Sequence, residues 1–272
     1  MADWSEWIGR ESLTEAYLDP AQSQRMQATL DRDPNLTAGD ELPPAWHWLY
    51  FHEVVPARDL GSDGHTRLGV TMPPFPLPRR MWAGGVLEWL HPVVLGQPAQ
   101  RTSRIASIQE KQGRSGALIF TTVEHQVHQA DRTCIREEQH IVYREAATQS
   151  VASTPPPAPQ DSDFSHRWQF DETALFRYSA LTFNGHRIHY DPDYTRDVEG
   201  YPGLVVHGPL LATLLLDLAR ENGLAPGHFT YRAVSPVTLP HGLTARGATV
   251  DSATALWIAH DDGALAMQGE LA

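Results

Sequence analysis

The sequence predicts an α+β fold made of two similar units, and three observations predict it. A strongly apolar helical stretch lies late in the chain. Short β-rich runs joined by tight turns follow it, and runs of the same kind close the first half. A Pro- and Ser-rich segment divides the two halves. No repeat of residue identity is visible, so the halves read as diverged copies of one unit.

Taken in order, Ser12-Leu-Thr-Glu15 matches a capping box and predicts a helix running to about Leu30. Trp46-His-Trp-Leu-Tyr-Phe51, after a Pro/Gly-rich stretch, predicts a strand. Residues 104–111, 117–129 and 133–144 predict consecutive antiparallel strands, with Gly113-Arg-Ser-Gly116 and Ala130-Asp-Arg132 as their turns. Within the second of these, Leu118, Phe120, Thr122 and Glu124 share one side of the pleat, so one face is only partly apolar. Residues 150–162 carry Pro, Ser and Ala without hydrophobic period, which predicts an extended connector. The expected organisation is an N-terminal unit over 1–150, a linker over 151–164 and a C-terminal unit over 165–272.

In the second unit Leu210, Leu211, Leu214, Leu215 and Leu218 form one broad apolar stripe, which predicts a buried helix over 209–222. Pro209 suits its first position, Gly223 the position just past its end, and Arg220 its last turn. Residues 229–234, 243–251, 253–260 and 265–271 predict the strands that follow.

Composition bounds the function. The 272 residues carry 21 Lys+Arg against 33 Asp+Glu, a formal net charge of -12, which argues against nucleic acid as a partner. An anionic thioester ligand would need a local cluster of Arg or Lys, and none is evident in the sequence. Cys134 is the single cysteine, so disulfides within the chain and Cys-built zinc sites are excluded. The apolar stretch around 210–218 is too short to span a bilayer and the N-terminus has no signal-peptide core. The expectation is a cytoplasmic protein with no membrane partner.

The chemistry is carried by Phe176-Arg-Tyr-Ser-Ala-Leu-Thr-Phe-Asn184-Gly-His186-Arg-Ile-His189-Tyr-Asp191-Pro192 and by Gly203-Leu-Val-Val-His207-Gly208-Pro209. On a regular helix Asn184 and His189 would diverge by about 140°. Gly185 and Asp191-Pro192 predict an irregular loop that could turn both toward one water.

These segments resemble the hydratase motif of the MaoC-like, (R)-specific enoyl-CoA hydratases. The resemblance places the family's Asp at Asn184, its Asn at His186, its catalytic His at His189 and its oxyanion-hole Gly at Gly208. Asn184 is a departure, because an amide orients water but does not act as a general base. Arg79-Arg-Met-Trp-Ala-Gly-Gly85, Lys111-Gln-Gly-Arg-Ser-Gly116, Glu137-Glu-Gln-His-Ile-Val-Tyr-Arg144 and Ser179 to Asp191 resemble the branch containing 3-methylfumaryl-CoA (mesaconyl-C4-CoA) hydratases, itaconyl-CoA hydratases and mitochondrial 3-hydroxyacyl-thioester dehydratases.

That resemblance implies a double hotdog: two antiparallel sheets, each wrapped on a central helix, paired side by side into one sheet. It implies a hydro-lyase acting on an acyl-CoA thioester, with a short branched C5-dicarboxylic enoyl-CoA giving citramalyl-CoA as the expected substrate class. His189 would be the general base and acid. Asn184 would position water, and the Gly208 N–H would stabilise the enolate oxygen. Arg79, Arg80, Trp82, Tyr178, His186, Arg187 and His207 are the expected substrate contacts, although His207 also reads as a residue that closes the loop before the helix. Arg79 and Arg80 read equally as a solvated pair at a strand edge, and Gly208 equally as a helix cap. The N-terminal unit is expected to lend binding surface and no base. No metal and no cofactor are expected, coenzyme A being part of the substrate. Dimerisation, where it occurs, would join two whole double hotdogs. Thioesterase action and non-catalytic binding of an acyl thioester are the competing readings.

Overall fold

The computed structural model describes residues 3–113, 116–145, 154–251 and 253–272. Its strands are β1 (Glu11–Tyr17), β2 (Arg79–Trp89), β3 (Pro98–Gly113), β4 (Gly116–Gln129), β5 (Arg132–Arg144), β6 (Phe164–Trp168), β7 (His228–Ala233), β8 (Leu243–Val250), β9 (Ala253–His260) and β10 (Leu265–Leu271). Its α-helices are α1 (Pro20–Thr29), α2 (Glu172–Leu181), α3 (Pro192–Asp197) and α4 (Gly208–Glu221). The strands form one ten-stranded sheet in the order β1-β3-β4-β5-β2-β7-β10-β9-β8-β6.

The order makes β2 and β7 the seam between a half built from 11–144 and a half built from 164–271. They pair antiparallel from Gly84 opposite Arg232 to Glu88 opposite His228. Gly84 and Gly85 permit this approach: a Cβ on the first would lie 2.3 Å from Tyr231 O and on the second 2.4 Å from Glu138 O.

The helix expected from Ser12 is a strand instead. Residues 11–17 pair with 104–98 of β3, and that ladder satisfies the backbone that a capping box would serve only at its ends. The helix begins later, at α1, where Asp19 caps it through Ala21 N at 3.0 Å. The strand expected over 46–51 is also replaced: Trp46–Leu49 is a 3₁₀ turn whose four side chains are all buried. The turns at 113–116 and 150–162 fall partly outside the described residues, which exclude 114–115 and 146–153. From 154 on, the segment belongs with the C-terminal half, with Pro157 bridging to Ala264 and Asp163 N donating to Gly247 O at 2.8 Å.

Elsewhere the periodicity holds. Leu210, Leu214 and Leu215 of α4 are 1% exposed or less, and each such burial contributes about 1.5–3 kcal/mol. Pro209 sits in the first turn and Gly223, at φ 79, follows the Asn222 cap. The helix packs on β8 and β9 and reaches β2.

The halves are also tied by charge. Arg32, from the loop after α1, meets Asp217 of α4 at 2.7 Å, and Asp217 is fully buried. Burial raises its carboxyl pKa against the opposing pull of Arg32.

Candidate active site

Between α2 and α4 the chain turns sharply, and the turn is specified locally. Thr182 caps α2, and Asn184 N donates to Ser179 O at 2.8 Å while Phe183 N reaches Ala180 O. This is a Schellman closure, and Phe183 sits where glycine is usual, at φ 53. A bulky residue in the left-handed region is strained by about 1–2 kcal/mol. Asn184 Oδ1 then accepts from His186 N at 3.0 Å, an Asx turn, and Arg187–His189 forms a 3₁₀ turn. The irregular loop expected at Gly185 is therefore present, and it follows directly on α2, to which Phe176 to Leu181 belong.

His189 is buried and its Nδ1 lies 2.7 Å from Val205 O. A carbonyl only accepts, so Nδ1 carries the hydrogen and Nε2 keeps its lone pair. Burial pushes its pKa down to about 3, so the ring is neutral near pH 7. Behind it, His207 stacks at 3.5 Å between ring centroids, and His207 Nε2 meets Ser179 Oγ at 2.9 Å.

His189 and Gly208 line one open cavity of about 2250 Å³. That exceeds the roughly 300–1,000 Å³ of sites for drug-sized ligands. Gly208 opens α4, where unpaired amides and the helix dipole favour developing negative charge. A Cβ at Gly208 would make only ordinary contact, 3.8 Å from Trp82 Cβ, so space alone does not demand glycine there.

The expected substrate contacts divide. Trp82, Tyr178, His186, Arg79 and Arg80 line the cavity with Asn184. Trp82 Nε1 is held by Tyr231 OH at 2.9 Å. Arg79 is a brace: its Nε meets Glu199 Oε2 at 3.0 Å and its Nη2 meets the carbonyls of Val198 and Glu199. Two of the expected contacts are not on the cavity wall. Arg187 is spent on Asp191 Oδ2 at 2.7 Å and on Ser62 O at 3.0 Å, and His207 is wholly buried behind His189. Arg10, Arg101, Arg104 and Arg144, far apart along the chain, also line the cavity and bring positive charge to its wall in a chain of net charge -12.

Sequence reasoning expected binding surface from the N-terminal half but did not single out the loop that supplies it. Gly61-Ser-Asp-Gly-His65 docks on the segment after Asn184 through Arg187 N to Asp63 O at 2.9 Å. Its His65 Nδ1 meets Asp63 Oδ2 at 3.1 Å, and its ring lies 4.2 Å from that of His186. Donor atoms of Asp63, His65 and His186 come within 4.8 Å of one another, the first two through their hydrogen bond and the third through the contact of its ring with His65. Gly61 and Gly64, with an Asp-x-His at 63–65, were the available signal. Deeper in the same half, Glu137 accepts from Trp48 Nε1, from Gln139 Nε2 and from His47 Nε2 at 2.9, 2.7 and 3.0 Å.

A ten-stranded antiparallel sheet seamed at its middle is the double hotdog class. The fold is similar to that of a Mycobacterium tuberculosis protein described as having a double hotdog fold, at TM-score 0.62 and 10% identity over 97% of this chain and 95% of the other. It is also similar to a MaoC-like dehydratase from Phytophthora capsici, at TM-score 0.73 and 13% identity over 99% and 98%. The chain belongs to the hydroxyacyl-thioester dehydratase type 2 family, whose model matches residues 45–239. It is 48% identical to the mesaconyl-C(4)-CoA hydratase of Chloroflexus aurantiacus over 87% of this chain and 85% of that one. It is 29% identical to the mitochondrial hydroxyacyl-thioester dehydratase type 2 of Schizosaccharomyces pombe over 81% and 84%.

Proposed function

We propose that this protein is an acyl-CoA hydro-lyase that adds water across the double bond of mesaconyl-C4-CoA, giving citramalyl-CoA. The observation that carries the chemistry is the fixed tautomer of His189, which presents a lone pair at Nε2 in the cavity where the amide of Gly208 opens α4. The 48% identity to a mesaconyl-C(4)-CoA hydratase supports the acyl group.

Water gives a proton to His189 Nε2 and its oxygen bonds to the β-carbon. The π pair moves toward the thioester carbonyl, where the Gly208 N–H meets the developing oxyanion. That proton then reaches the α-carbon, so H and OH are added and nothing is oxidised. Asn184 orients the water. Trp82, Tyr178, His186, Arg79 and Arg80 shape the acyl and coenzyme A sites; Arg80 and Arg101 supply charge for carboxylate and phosphate. Coenzyme A enters as part of the substrate and no other cofactor is assigned.

No described helix is long and apolar enough to cross a membrane. A cytoplasmic location and a homodimer of whole double hotdogs belong to the same reading; light scattering at micromolar concentration that shows only monomer would remove the dimer.

The test is to incubate the protein with mesaconyl-C4-CoA, itaconyl-CoA and a straight-chain 3-hydroxyacyl-CoA, following enoyl absorbance and free thiol together. Fast loss of the mesaconyl signal without thiol is expected. Thiol release would make the protein a thioesterase, and preference for the straight chain would move it to the dehydration reading.

A further inference from the structure

Six histidines line the cavity among the described residues, and what orients each one differs. His52 faces the carbonyl of Leu181, His125 and His260 face the hydroxyls of Ser103 and Ser235, and His189 faces the carbonyl of Val205. His186 has no side-chain hydrogen bond within the described residues. His65 alone is bonded to a carboxylate, that of Asp63. A carbonyl fixes a tautomer. A carboxylate fixes it and also stabilises the imidazolium that forms when the ring takes a proton.

The pair is built into the site although Ser62 and Arg187 stand 125 residues apart in the chain. Gly61 N donates to His65 O at 2.7 Å and closes the loop. Gly64 lies at φ +88 so close to the catalytic segment that a Cβ there would come to 1.9 Å from Gly185 O. The His65 ring stands 4.2 Å from His186, and His186 stands 5.5 Å from His189. The imidazoles therefore run in file from the carboxylate of Asp63 to the ring that faces the substrate.

We propose that Asp63 and His65 form the second acid–base pair of this active site, with His65 holding the proton that His189 removes from water and Asp63 positioning and stabilising His65. This rests on the hydro-lyase reading above. In the cycle, the proton of the attacking water passes from His189 Nε2 through solvent in the cavity that both rings line to His65, and His65 returns it to the α-carbon as the enolate collapses. Both rings finish neutral, and the balance of H and OH is unchanged.

The electrostatics agree with the placement. Burial lowers the pKa of every ring in the file, to about 3 at His189 and about 2 at His186. At His65 burial and Arg80 lower it while Asp63 and Glu53 raise it. Burial of Asp63 works against its charge, yet the hydrogen bond and positive charge of His65 hold its carboxyl at about 2. Arg80 from β2, Glu53 after the 46–49 turn, Tyr143 of β5 and Tyr194 of α3 are the other titratable and charged groups facing the pair.

The test compares wild type with Asp63→Asn, Asp63→Glu and His65→Gln in two measurements. The first is the pH dependence of kcat and KM on mesaconyl-C4-CoA. Asp63→Asn and His65→Gln are expected to lower kcat about 10²-fold, to leave KM within about threefold and to move the acidic limb to lower pH. Asp63→Glu is expected to restore most of the loss. The second measurement is the imidazole ¹⁵N titration of substrate-free protein by NMR, in which His65 is expected to protonate before His189, with the order reversed in Asp63→Asn. This arm reads the pair even if no enoyl-CoA is turned over, a result that would sink the hydro-lyase reading alone; it also decides if a variant fails to fold. The proposal is overturned if His65 titrates below His189, or if folded Asp63→Asn keeps more than a third of wild-type kcat with an unmoved limb. Stoichiometric Zn²⁺ binding lost in both Asp63→Asn and His65→Gln, with activity removed by a chelator, would overturn it too.

Discussion

The C-terminal half covers β8 and β9 with α4, an apolar helix whose Leu210, Leu214 and Leu215 are sealed from solvent. The N-terminal half has no equivalent among the described residues: α1 packs against α2, and residues of β3, β4 and β5 line the cavity. Beside an apolar core around Trp46, Leu87 and Leu95, that half buries a polar network, Glu137 with His47, Trp48 and Gln139 around it. The difference teaches a division of structure: the C-terminal half sets a sealed apolar helix behind the loop from Asn184 to His189, and the N-terminal half presents a polar wall to the cavity.

The two halves also bury carboxylates of opposite character. Burial raises the pKa of Glu137, but bonds from His47 and Gln139 and nearby positive charge overcome it and hold it at about 2. Its contribution is full above the unfolded value of about 4.3 and is lost as pH falls toward 2. Asp217 is raised by burial, so its linkage has the other sign: stability is greatest below the unfolded value and is lost as pH rises through the folded one.

The largest effect expected is that of His189→Ala, a loss of about 10³-fold or more in kcat with KM nearly unchanged. Steady-state kinetics on mesaconyl-C4-CoA measure it; retention of more than about a tenth of turnover, a barrier change under roughly 1.4 kcal/mol, removes His189 as the base.

Next, Glu137→Gln should destabilise the fold by about 3 kcal/mol, because it leaves a buried network short of its charge. Urea unfolding at pH 7 reads it, and the loss of stability between about pH 4.3 and 2 should flatten. A change under about 1 kcal/mol would mean that the polar wall carries no stability.

Asn184→Ala should lower kcat about 10²-fold, close to 2.7 kcal/mol, since it removes both the group that orients water and the turn onto His186 N. Asn184→Asp sharpens the point by adding an ionisation near His189; an unchanged rate–pH profile would show that position 184 does not face the reacting water.

The smallest effect belongs to Asp217→Asn, expected within about 1 kcal/mol at pH 7 because the change removes a charge whose burial already opposes folding. A loss above about 3 kcal/mol would make Arg32–Asp217 a net stabiliser and erase the contrast with Glu137.

How much was legible follows the range of the forces. Helix α4 and strands β4, β5 and β7 to β10 were readable because their periodicity and turns act over a few residues; Ala130 and Asp131, at φ 49 and 59, form the expected tight turn. The run Asn184 to His189 was readable because one short stretch of chain builds its turn. Ser12 to Glu15 misled because a capping signal competes with a partner, β3, that lies far along the chain. Asp63 and His65 were passed over for the same reason: their loop carries a turn signal, but nothing near them announces that Gly64 will seat against Gly185. The linker and the turn at 113–116 lie partly outside the described residues.

One contact has a bearing on mutational robustness. The tautomer of His189 is set by the carbonyl of Val205, a main-chain atom. A side-chain acceptor is one codon change from being lost. A carbonyl survives every substitution at its own position, including proline, which keeps its C=O while giving up its N–H. Mutation can shift that oxygen by displacing the segment around it, but cannot delete it, so the proton on the His189 ring is specified by something the genetic code does not edit.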